Sequence, residues 1–194
     1  MGFTSILGFA QQLIRQSVQP NDIVVDATLG TGNDALFLLS QLNKKGLLFG
    51  FDVQKDAILR TKSRLSSNIT STILSPFVLF HESHANWQYR IPQHYCGKIG
   101  AVMFNLGYLP NGENDNIITE THSTITALQT ACHWIRPNGI ITIVVYPGHY
   151  GGRHESEHVF NWCSSLDQNE FHVLRYQLCN KHDHSPFLLA IKKI

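Results

Sequence analysis

Residues 23–34 of this 194-residue chain read Ile-Val-Val-Asp-Ala-Thr-Leu-Gly-Thr-Gly-Asn-Asp, and no other stretch constrains the fold as strongly. The first three residues are apolar, as in a strand that is covered on both faces. Gly30 and Gly32 then supply a turn without Cβ atoms, which lets the backbone approach a ligand closely. Asn33 or Asp34 is expected to cap the helix that follows. A buried strand, a glycine turn and a helix in this order predict an α/β ligand-binding fold.

A second apolar strand, residues 47–51, ends in Asp52, which lies 22 residues after Gly30. An acidic residue at this distance is placed to accept hydrogen bonds from ribose hydroxyls. The ligand is therefore expected to be a nucleoside or a nucleotide. The letters Gly30-x-Gly32-x-x-Ala35 also satisfy the dinucleotide fingerprint, so the spacing alone leaves NAD open.

Three further features favour S-adenosylmethionine over NAD. Asp26 ends the strand just before the glycine turn, where it would repel a pyrophosphate and attract a sulfonium cation that also carries an ammonium group. Asn105 ends another apolar strand and opens the turn 106–110. The segment Arg-Pro-Asn-Gly at 136–139 ends a helix before the strand expected at 140–146. The order of these elements matches class I methyltransferases better than dehydrogenases.

The rest of the chain alternates between strand and helix patterns. Strands are expected near 23–27, 47–52, 77–82, 99–105 and 140–146, and helices near 33–43, 54–67, 119–135 and 155–166. An amphipathic helix over 3–18 comes before them, and two strand-like runs, 171–178 and 187–192, come after. This alternation predicts a Rossmann-like, doubly wound sheet of seven strands, mostly parallel, with an antiparallel C-terminal hairpin at one edge. We expect a single domain over residues 1–194, with the helix of residues 1–20 packed on it.

The composition is that of a globular protein, with 43% hydrophobic and 15% charged residues. A formal net charge of +1 gives no overall basic signature, so any contact with nucleic acid must come from local patches. The four cysteines form no C-x-x-C pair, which favours reduced thiols. Because no run of 18 apolar residues is present, we expect a cytoplasmic protein without a membrane segment.

Five sequence blocks together resemble one protein family: DATLGTGND at 26–34, GFDVQ at 50–54, HESH at 81–84, NLGYLP at 105–110 and YPGHYGGRHE at 146–155. The chain is similar to the rRNA methylase family of small class I methyltransferases, which includes the bacterial tRNA 5-aminomethyl-2-thiouridine methyltransferases. The resemblance implies methyl transfer from S-adenosylmethionine to the amine of 5-aminomethyl(-2-thio)uridine at the tRNA wobble position. The product would be the 5-methylaminomethyl nucleoside.

The chain departs from the family pattern in two places. It has Thr-Gly-Asn at 31–33, where the family usually has Gly or Asn with His after the first glycine. At 146–152 it has Tyr-Pro-Gly-His-Tyr-Gly-Gly, where the family commonly shows Tyr-His-Gly-His-Gly-Gly. Pro147 removes a backbone donor and Tyr150 adds bulk beside the expected acceptor pocket, so these two changes bear on fine substrate specificity.

Open α/β sheets bind ligands at the carboxyl ends of their strands, so the polar residues there are expected to converge. The cofactor-binding residues are then predicted to be Asp26, Thr28, Gly30, Gly32, Asn33, Asp34, Asp52, Gln54, Ser83, His84 and Asn105. Those that bind the acceptor are predicted to be Leu106, Gly107, Tyr108, Tyr146, His149 and Arg153, and the catalytic residues Asn105, Tyr108 and His149. The resemblance implies that Asn105 accepts hydrogens of the amine. Tyr108 would stack on the base, and His149 would contact the base or take a proton.

A tRNA partner would bind through its anticodon stem-loop, where an unpaired base can be extruded and stacked. Lys55, Arg60, Lys62 and Arg64 share one predicted helix and offer phosphate contacts, although a solvated helix face is the default for such a group. The small size of the chain and the breadth of a tRNA favour a homodimer.

Other interpretations stay open. An rRNA or small-molecule methyltransferase, or a non-catalytic nucleotide-binding module, would fit the same fold. Residues 154–158, His-Glu-Ser-Glu-His, match the zinc-protease signature in letters. That chemistry needs both histidines well inside a helix and a third ligand, whereas two glycines at 151–152 place His154 at a helix start. The segment 182–184, His-Asp-His, lies in an expected turn, so we expect no metal site.

Overall fold

The computed structural model describes residues 2–68, 75–107, 120–148, 152–181 and 184–194. The strands are β1 (Ile23–Asp26), β2 (Leu47–Asp52), β3 (Phe77–His81), β4 (Ile99–Leu106), β5 (Ile135–Val145), β6 (Phe171–Tyr176) and β7 (Phe187–Lys193). The α-helices are α1 (Ile6–Ser17), α2 (Asn33–Ser40), α3 (Lys55–Asn68), α4 (Thr121–Trp134) and α5 (Gly152–Ser164). Two short 3₁₀ helices, η1 (His84–Tyr89) and η2 (Gln93–Tyr95), lie between β3 and β4.

The seven strands form one sheet in the order β3-β2-β1-β4-β5-β7-β6. Strands β1 to β5 are parallel, and β7 runs antiparallel to both β5 and β6. The predicted α/β architecture with an antiparallel C-terminal hairpin is therefore confirmed. Within that hairpin β7 lies inside the sheet and β6 forms the edge. Because β1 to β5 are parallel, their carboxyl ends meet along one side of the sheet, where the strand order turns from β1 to β4.

The fifth strand begins earlier than the sequence predicts. Helix α4 ends at Trp134, and Ile135 already pairs with Ile99 of β4. The register then shifts, so that the next pair along the ladder is Ala101 with Ile140. The residues at 136–139 are thus an irregular excursion within β5, in which Asn138 has a φ of 61°. A proline in this segment cannot donate to the ladder, which explains why the pairing skips it.

Helix α1 packs on the sheet rather than extending away from it. Its Ala10 and Ile14 are fully buried, and Ala10 packs in one cluster with Val144 of β5 and Leu188 of β7. Ser5 caps the helix by accepting a hydrogen bond from the backbone N–H of Gly8 at 3.1 Å. This packing holds the polar side of α1 beside the carboxyl ends of the strands. No helix in the described ranges is both long and apolar enough to cross a membrane.

Candidate functional site

A cleft of about 1020 Å³ opens at the carboxyl ends of β1, β2 and β4. Its lining comes from seven parts of the chain: α1, the β1–α2 loop with the start of α2, the end of β2, the start of η1, the end of β4, the start of α4 and the residue after β5. The lining residues are Leu7, Gln11, Ala27, Thr28, Leu29, Gly30, Thr31, Asn33, Asp34, Asp52, Val53, Gln54, Ser83, His84, Asn105, Leu106, Gly107, Glu120, Ser123 and Tyr146. Most of the residues predicted to bind a cofactor therefore lie around one space.

The end of β1 is tied to the end of β4 below this cleft. Asp26 is buried, and its Oδ1 accepts a hydrogen bond from the backbone N–H of Thr28 at 3.2 Å. The Thr28 hydroxyl in turn accepts a hydrogen bond from the backbone N–H of Asn105 at 2.7 Å. Asp26 is not among the described residues that line the cleft.

The loop after β1 is tied in the same way to the end of β2. Gly30 has a φ of 51°, and its backbone N–H donates to Asp52 Oδ2 at 2.9 Å. The backbone N–H of Gln54 donates to Asp52 Oδ1 at 2.8 Å. A carboxylate offers about four acceptor positions, so each Asp52 oxygen keeps one for a ligand. The geometry is compatible with a pair of ribose hydroxyls as that ligand.

The cap at the start of α2 differs from the prediction. The helix is preceded by Gly32, with a φ of 79°, and no side chain caps it, so the prediction that Asn33 or Asp34 does so is wrong. Asn33 Nδ2 donates to the Thr31 hydroxyl instead, at 3.0 Å. A Cβ on residue 32 would lie 2.9 Å from Thr61 of α3. Packing against α3 therefore requires this glycine, which does not line the cleft.

The carboxamide of Asn105, at the end of β4, has one hydrogen-bonded atom and, within the part of the chain that the structure describes, one unpaired atom. Its Nδ2 donates a short hydrogen bond to Asp34 Oδ2. Its Oδ1 is buried and has no hydrogen-bond partner among the described residues. An acceptor atom left unpaired in a buried position is costly, and here it belongs to a residue that lines the cleft. Such an atom is a natural contact for an N–H group of a ligand.

His84 is a second residue with an unpaired atom in the wall. Its Nδ1 lies 3.1 Å from the carbonyl oxygen of Ala27, which can only accept, so Nδ1 carries the proton and donates. Burial lowers the pKa of His84 to about 4, so the ring is neutral near pH 7. Nε2 is then an acceptor, and it is buried without a partner among the described residues. Next to it, Ser83 caps η1 by accepting from the N–H of Ala85 at 3.2 Å.

Three carboxyl groups, Asp26, Asp34 and Asp52, lie close enough at this end of the sheet to influence one another's pKa. Burial raises the pKa of Asp26 well above its ordinary value, and the neighbouring Asp34 and then Asp52 raise it further. Burial also raises the pKa of Asp34 and of Asp52, although their hydrogen bonds act in the opposite direction. A raised pKa means that each charge lacks full compensation, so a cationic ligand would be stabilised here and a pyrophosphate would not.

The residues predicted for the acceptor side fall into three groups. Leu106, Gly107 and Tyr146 line the cleft, and burial, followed by the charge of Asp34, raises the pKa of the Tyr146 hydroxyl. Arg153 lies outside the lining, is exposed, and pairs with Glu157 at 3.1 Å. Tyr108 and His149 lie outside the described residues, as do residues 109–110 of the predicted turn, Pro110 included, Tyr150, and the histidine and aspartate at 182–183.

Two regions of the lining were missed entirely by sequence reasoning, and their residues are Leu7, Gln11, Glu120 and Ser123. The first two belong to α1, which the hydrophobic pattern presents only as a packing element. The only signal for Gln11 is its place on the polar face of an amphipathic helix, and that face is solvated by default. The other two lie at the start of α4, whose residues are 70 or more positions away from α2 in the chain.

The zinc-protease letters at 154–158 do not form a zinc site. His154 and His158 are exposed, whereas Glu155 is buried and accepts a hydrogen bond from the Thr124 hydroxyl of α4 at 2.8 Å. In that chemistry the glutamate must lie beside the metal that the histidines hold, and here the three side chains are split between surface and core. Across the described part of the chain, no group of three or more His, Cys, Asp or Glu side chains is placed to hold a metal ion.

Comparisons with known proteins agree on the family and the fold. The family model described as "Putative rRNA methylase" matches residues 48–192. The chloroplastic tRNA (mnm(5)s(2)U34)-methyltransferase of Arabidopsis thaliana is 37% identical over 171 residues, which are 86% of this chain and 61% of that protein. The chain thus spans less than two thirds of this relative.

Two crystal structures match the whole chain. One is a putative rRNA-methylase from Clostridium thermocellum, which is 37% identical, has a TM-score of 0.91 and is covered completely, as is this chain. The other is a putative methyltransferase from Streptococcus mutans in complex with SAH, which is 31% identical, has a TM-score of 0.85 and is also covered completely.

Proposed function

The chain belongs to the rRNA methylase family of class I methyltransferases, and from this membership we propose that it methylates the amine of 5-aminomethyl(-2-thio)uridine at the wobble position of tRNA. Its methyl donor is S-adenosylmethionine. The observation that carries the proposal is the Asn105 carboxamide, whose Oδ1 is buried and unpaired in the wall of the cleft. The name of the 37% identical plant relative supports the choice of acceptor.

Different cleft residues suit different parts of S-adenosylmethionine. Asp52 is placed to accept from ribose hydroxyls, because each of its oxygens keeps an acceptor position. Ser83 and the neutral His84 would contact the adenine, with His84 Nε2 as an acceptor for its exocyclic amine. Asp34 and the buried Asp26 face the ammonium and sulfonium charges with a negative potential. Thr28, Gly30, Asn33 and Gln54 complete the wall.

S-adenosylmethionine supplies a methyl group activated by the attached sulfonium. Asn105 Oδ1 accepts one N–H of the acceptor amine, which holds the nitrogen with its lone pair available for in-line attack. The amine must be unprotonated to attack, because a proton would occupy that lone pair. The new N–C bond forms as the S–C bond breaks, and the amine then loses one proton. Leu106, Gly107 and Tyr146 exclude water around this point.

We place the acceptor base beside the turn that follows β4. Tyr108 would stack on the extruded base, and His149 would contact it or take the released proton. Phosphates of the anticodon stem-loop would be contacted by Arg153 and by the cationic side chains of α3, which are Lys55, Arg60, Lys62 and Arg64. A homodimer would offer the tRNA a broader basic surface.

The decisive experiment supplies the purified protein and S-adenosylmethionine to tRNA that carries 5-aminomethyl-2-thiouridine. Mass spectrometry of the nucleosides should then show conversion to 5-methylaminomethyl-2-thiouridine. Total rRNA, incubated in parallel, tests the acceptor that the family description names. Methylation of rRNA with unchanged tRNA would redirect the proposal to rRNA. Binding of S-adenosylmethionine without turnover on either RNA would favour a non-catalytic module.

A further inference from the structure

We propose that Asp34 is a positioning residue, which fixes the Asn105 carboxamide so that its oxygen is presented to the acceptor amine, and that Gln11 of α1 holds Asp34 in place. This inference rests on the proposed function in one respect, the identity of the group that Asn105 receives. The contacts from which it is drawn join three elements, α1, α2 and β4, around one carboxylate.

A hydrogen bond to Asp34 fixes the orientation of the Asn105 side chain. A carboxamide has two similar faces, one with a hydrogen-bond acceptor and one with two donors, and it can turn to present either of them. Asn105 Nδ2 donates to Asp34 Oδ2, and an ionised carboxylate has only acceptors. The NH₂ group must therefore face Asp34. The oxygen is left on the other side, where it is buried and unpaired among the described residues.

The backbone of Asn105 is fixed independently. Its N–H donates to the Thr28 hydroxyl at 2.7 Å, and its strand pairs with Val144 of β5. What Asp34 adds is therefore control of the side chain alone. Without Asp34, the carboxamide could present its NH₂ group instead, and a donor facing the amine would compete for the lone pair that must attack.

The Asp34 carboxylate is itself flanked by side chains from two other elements. Asp34 lies in the first turn of α2, and the Gln11 side chain lies close enough to oppose the rise in the pKa of Asp34. Gln11 follows the fully buried Ala10, so α1 is anchored at this point. The Asp34 carboxylate thus lies between one amide group from α1 and another from β4, and a carboxylate with donors on both sides has little freedom to rotate.

The stability cost of a buried charge at Asp34 favours a positioning role over a purely structural one. Burial raises the pKa of Asp34, so keeping this carboxylate charged costs stability. No ion pair with Lys or Arg compensates it within the described residues. A buried carboxylate without such an ion pair is a poor means of stabilising the fold. Asp34→Asn, which removes the charge and keeps an acceptor for Asn105, should therefore leave the fold as stable as before or more stable.

The test compares Asp34→Ala, Asp34→Asn and Asn105→Ala with the double variant Asp34→Ala/Asn105→Ala. Asp34→Ala should lower kcat about 10- to 100-fold at saturating cofactor, a loss beyond whatever it costs in the Kd for S-adenosylhomocysteine, whose ammonium group the carboxylate also faces. Asp34→Asn should recover most of the rate, because its side-chain oxygen can still accept from Asn105. In the Asn105→Ala background, the Asp34→Ala change should cost less than about 3-fold more. Multiplicative losses, or a loss confined to cofactor affinity, would overturn the proposal.

A reciprocal exchange makes the test sharper. Asn105→Asp alone places two carboxylates side by side, so we expect a loss of at least 10-fold in kcat. Asp34→Asn/Asn105→Asp restores one donor and one acceptor, now reversed, and leaves a carboxylate oxygen toward the cleft. This double variant should be faster than Asn105→Asp alone, and an equal or slower rate would count against the positioning role. Asp167→Asn, in the turn after α5, is the matched control for neutralising a carboxylate.

A readout without turnover separates failure of this inference from failure of the proposed function. In ¹⁵N-edited NMR spectra, the Asn105 NH₂ protons should be shifted downfield by the Asp34 carboxylate and should lose that shift in Asp34→Ala. An unchanged signal would refute the orientation even if the wild-type protein methylates tRNA. Conversely, the shifted signal in a protein that methylates no RNA would keep the orientation and refute the proposed function.

Discussion

The backbone N–H of Gly30 donates a 2.9 Å hydrogen bond to Asp52 Oδ2, across a separation of 22 residues in the chain. These are the glycine and the acidic residue by which a nucleotide-binding strand pair is recognised in a sequence. Their spacing therefore reflects a direct contact between the two residues. Asp52 thus holds the glycine loop, and the N–H of Gln54 donates to its other carboxylate oxygen at 2.8 Å.

Replacing Asp52 should weaken cofactor binding through both of its roles. Asp52→Ala removes the ribose acceptor and frees the Gly30 loop, so we expect the Kd for S-adenosylhomocysteine to rise at least about 10-fold, or about 1.5–3 kcal/mol. Asp52→Asn keeps one acceptor and should lose less. Isothermal titration calorimetry measures both values, with Asp167→Asn as the control. An unchanged Kd in Asp52→Ala would remove this residue from the cofactor site.

Local patterns predicted most of the fold because they report on burial. The apolar runs that end at Asp26, Asp52 and Asn105 are strands covered on both faces, and their order along the chain determines a parallel sheet. The start of β5 was missed because Ile135 pairs with Ile99 ahead of the irregular segment 136–139. That pairing depends on β4, which no local pattern at 135–139 reports.

The candidate site was predictable at the strand ends and not across helices. The contact between Asp34 and Asn105 joins residues 71 positions apart, and neither sequence neighbourhood points to the other. The helix cap was mispredicted because Gly32 must fit against Thr61, a constraint that comes from tertiary packing. Gln11 was missed for a similar reason, since only the packing of α1 on β5 and β7 brings it to the cleft.

Breaking the ion pair between Arg136 and Asp22 should strongly destabilise the fold. Arg136 Nη2 lies 2.7 Å and Nε 3.0 Å from the two oxygens of Asp22, and both side chains are largely buried. Arg136→Met would leave the buried carboxylate uncompensated, so we expect a loss of about 3–5 kcal/mol in the free energy of unfolding. Urea denaturation measures it, and Arg153→Met, which breaks an exposed pair, should cost less than about 1 kcal/mol.

Gly100 should be coupled to the same ion pair. A Cβ at this position would lie 2.2 Å from Asp22 Oδ2, so Gly100→Ala must displace the carboxylate. We expect a loss of about 1–3 kcal/mol on its own and a clearly smaller loss in an Asp22→Ala background, because the clash is then absent. Equal losses in the two backgrounds, again by urea denaturation, would show that the carboxylate is not what limits this position.

Removing metal ions should leave the protein's activity intact. Because Glu155 is buried against Thr124 while His154 and His158 are exposed, the letters His-Glu-x-x-His cannot converge on one ion. We expect methyl transfer to stay within about 2-fold of wild type after chelation and in His158→Ala, since neither change touches the cleft. Elemental analysis by mass spectrometry completes the test. One zinc per chain, lost in His158→Ala, would reverse this conclusion.

His84 should make stability fall as the pH is lowered. Its pKa is about 4 in the folded protein and about 6.5 when exposed, so between these values the unfolded chain binds a proton that the folded protein does not. The free energy of unfolding should therefore rise with pH in that window, by up to about 1.4 kcal/mol per pH unit from this residue. The buried Asp26, Asp34 and Asp52 act in the opposite direction, because their pKa values are raised on folding.

The difference between wild type and His84→Gln isolates the histidine, because both proteins keep the three carboxyl groups. Urea denaturation at pH 4.5, 5.5 and 6.5 should show the stability of wild type falling faster toward low pH than that of His84→Gln. His172→Gln, at an exposed position of β6, is the matched control and should follow wild type. Parallel curves for wild type and His84→Gln would mean that the ring is not buried in its neutral form. The assignment of Nε2 as an acceptor in the cleft would then be lost as well.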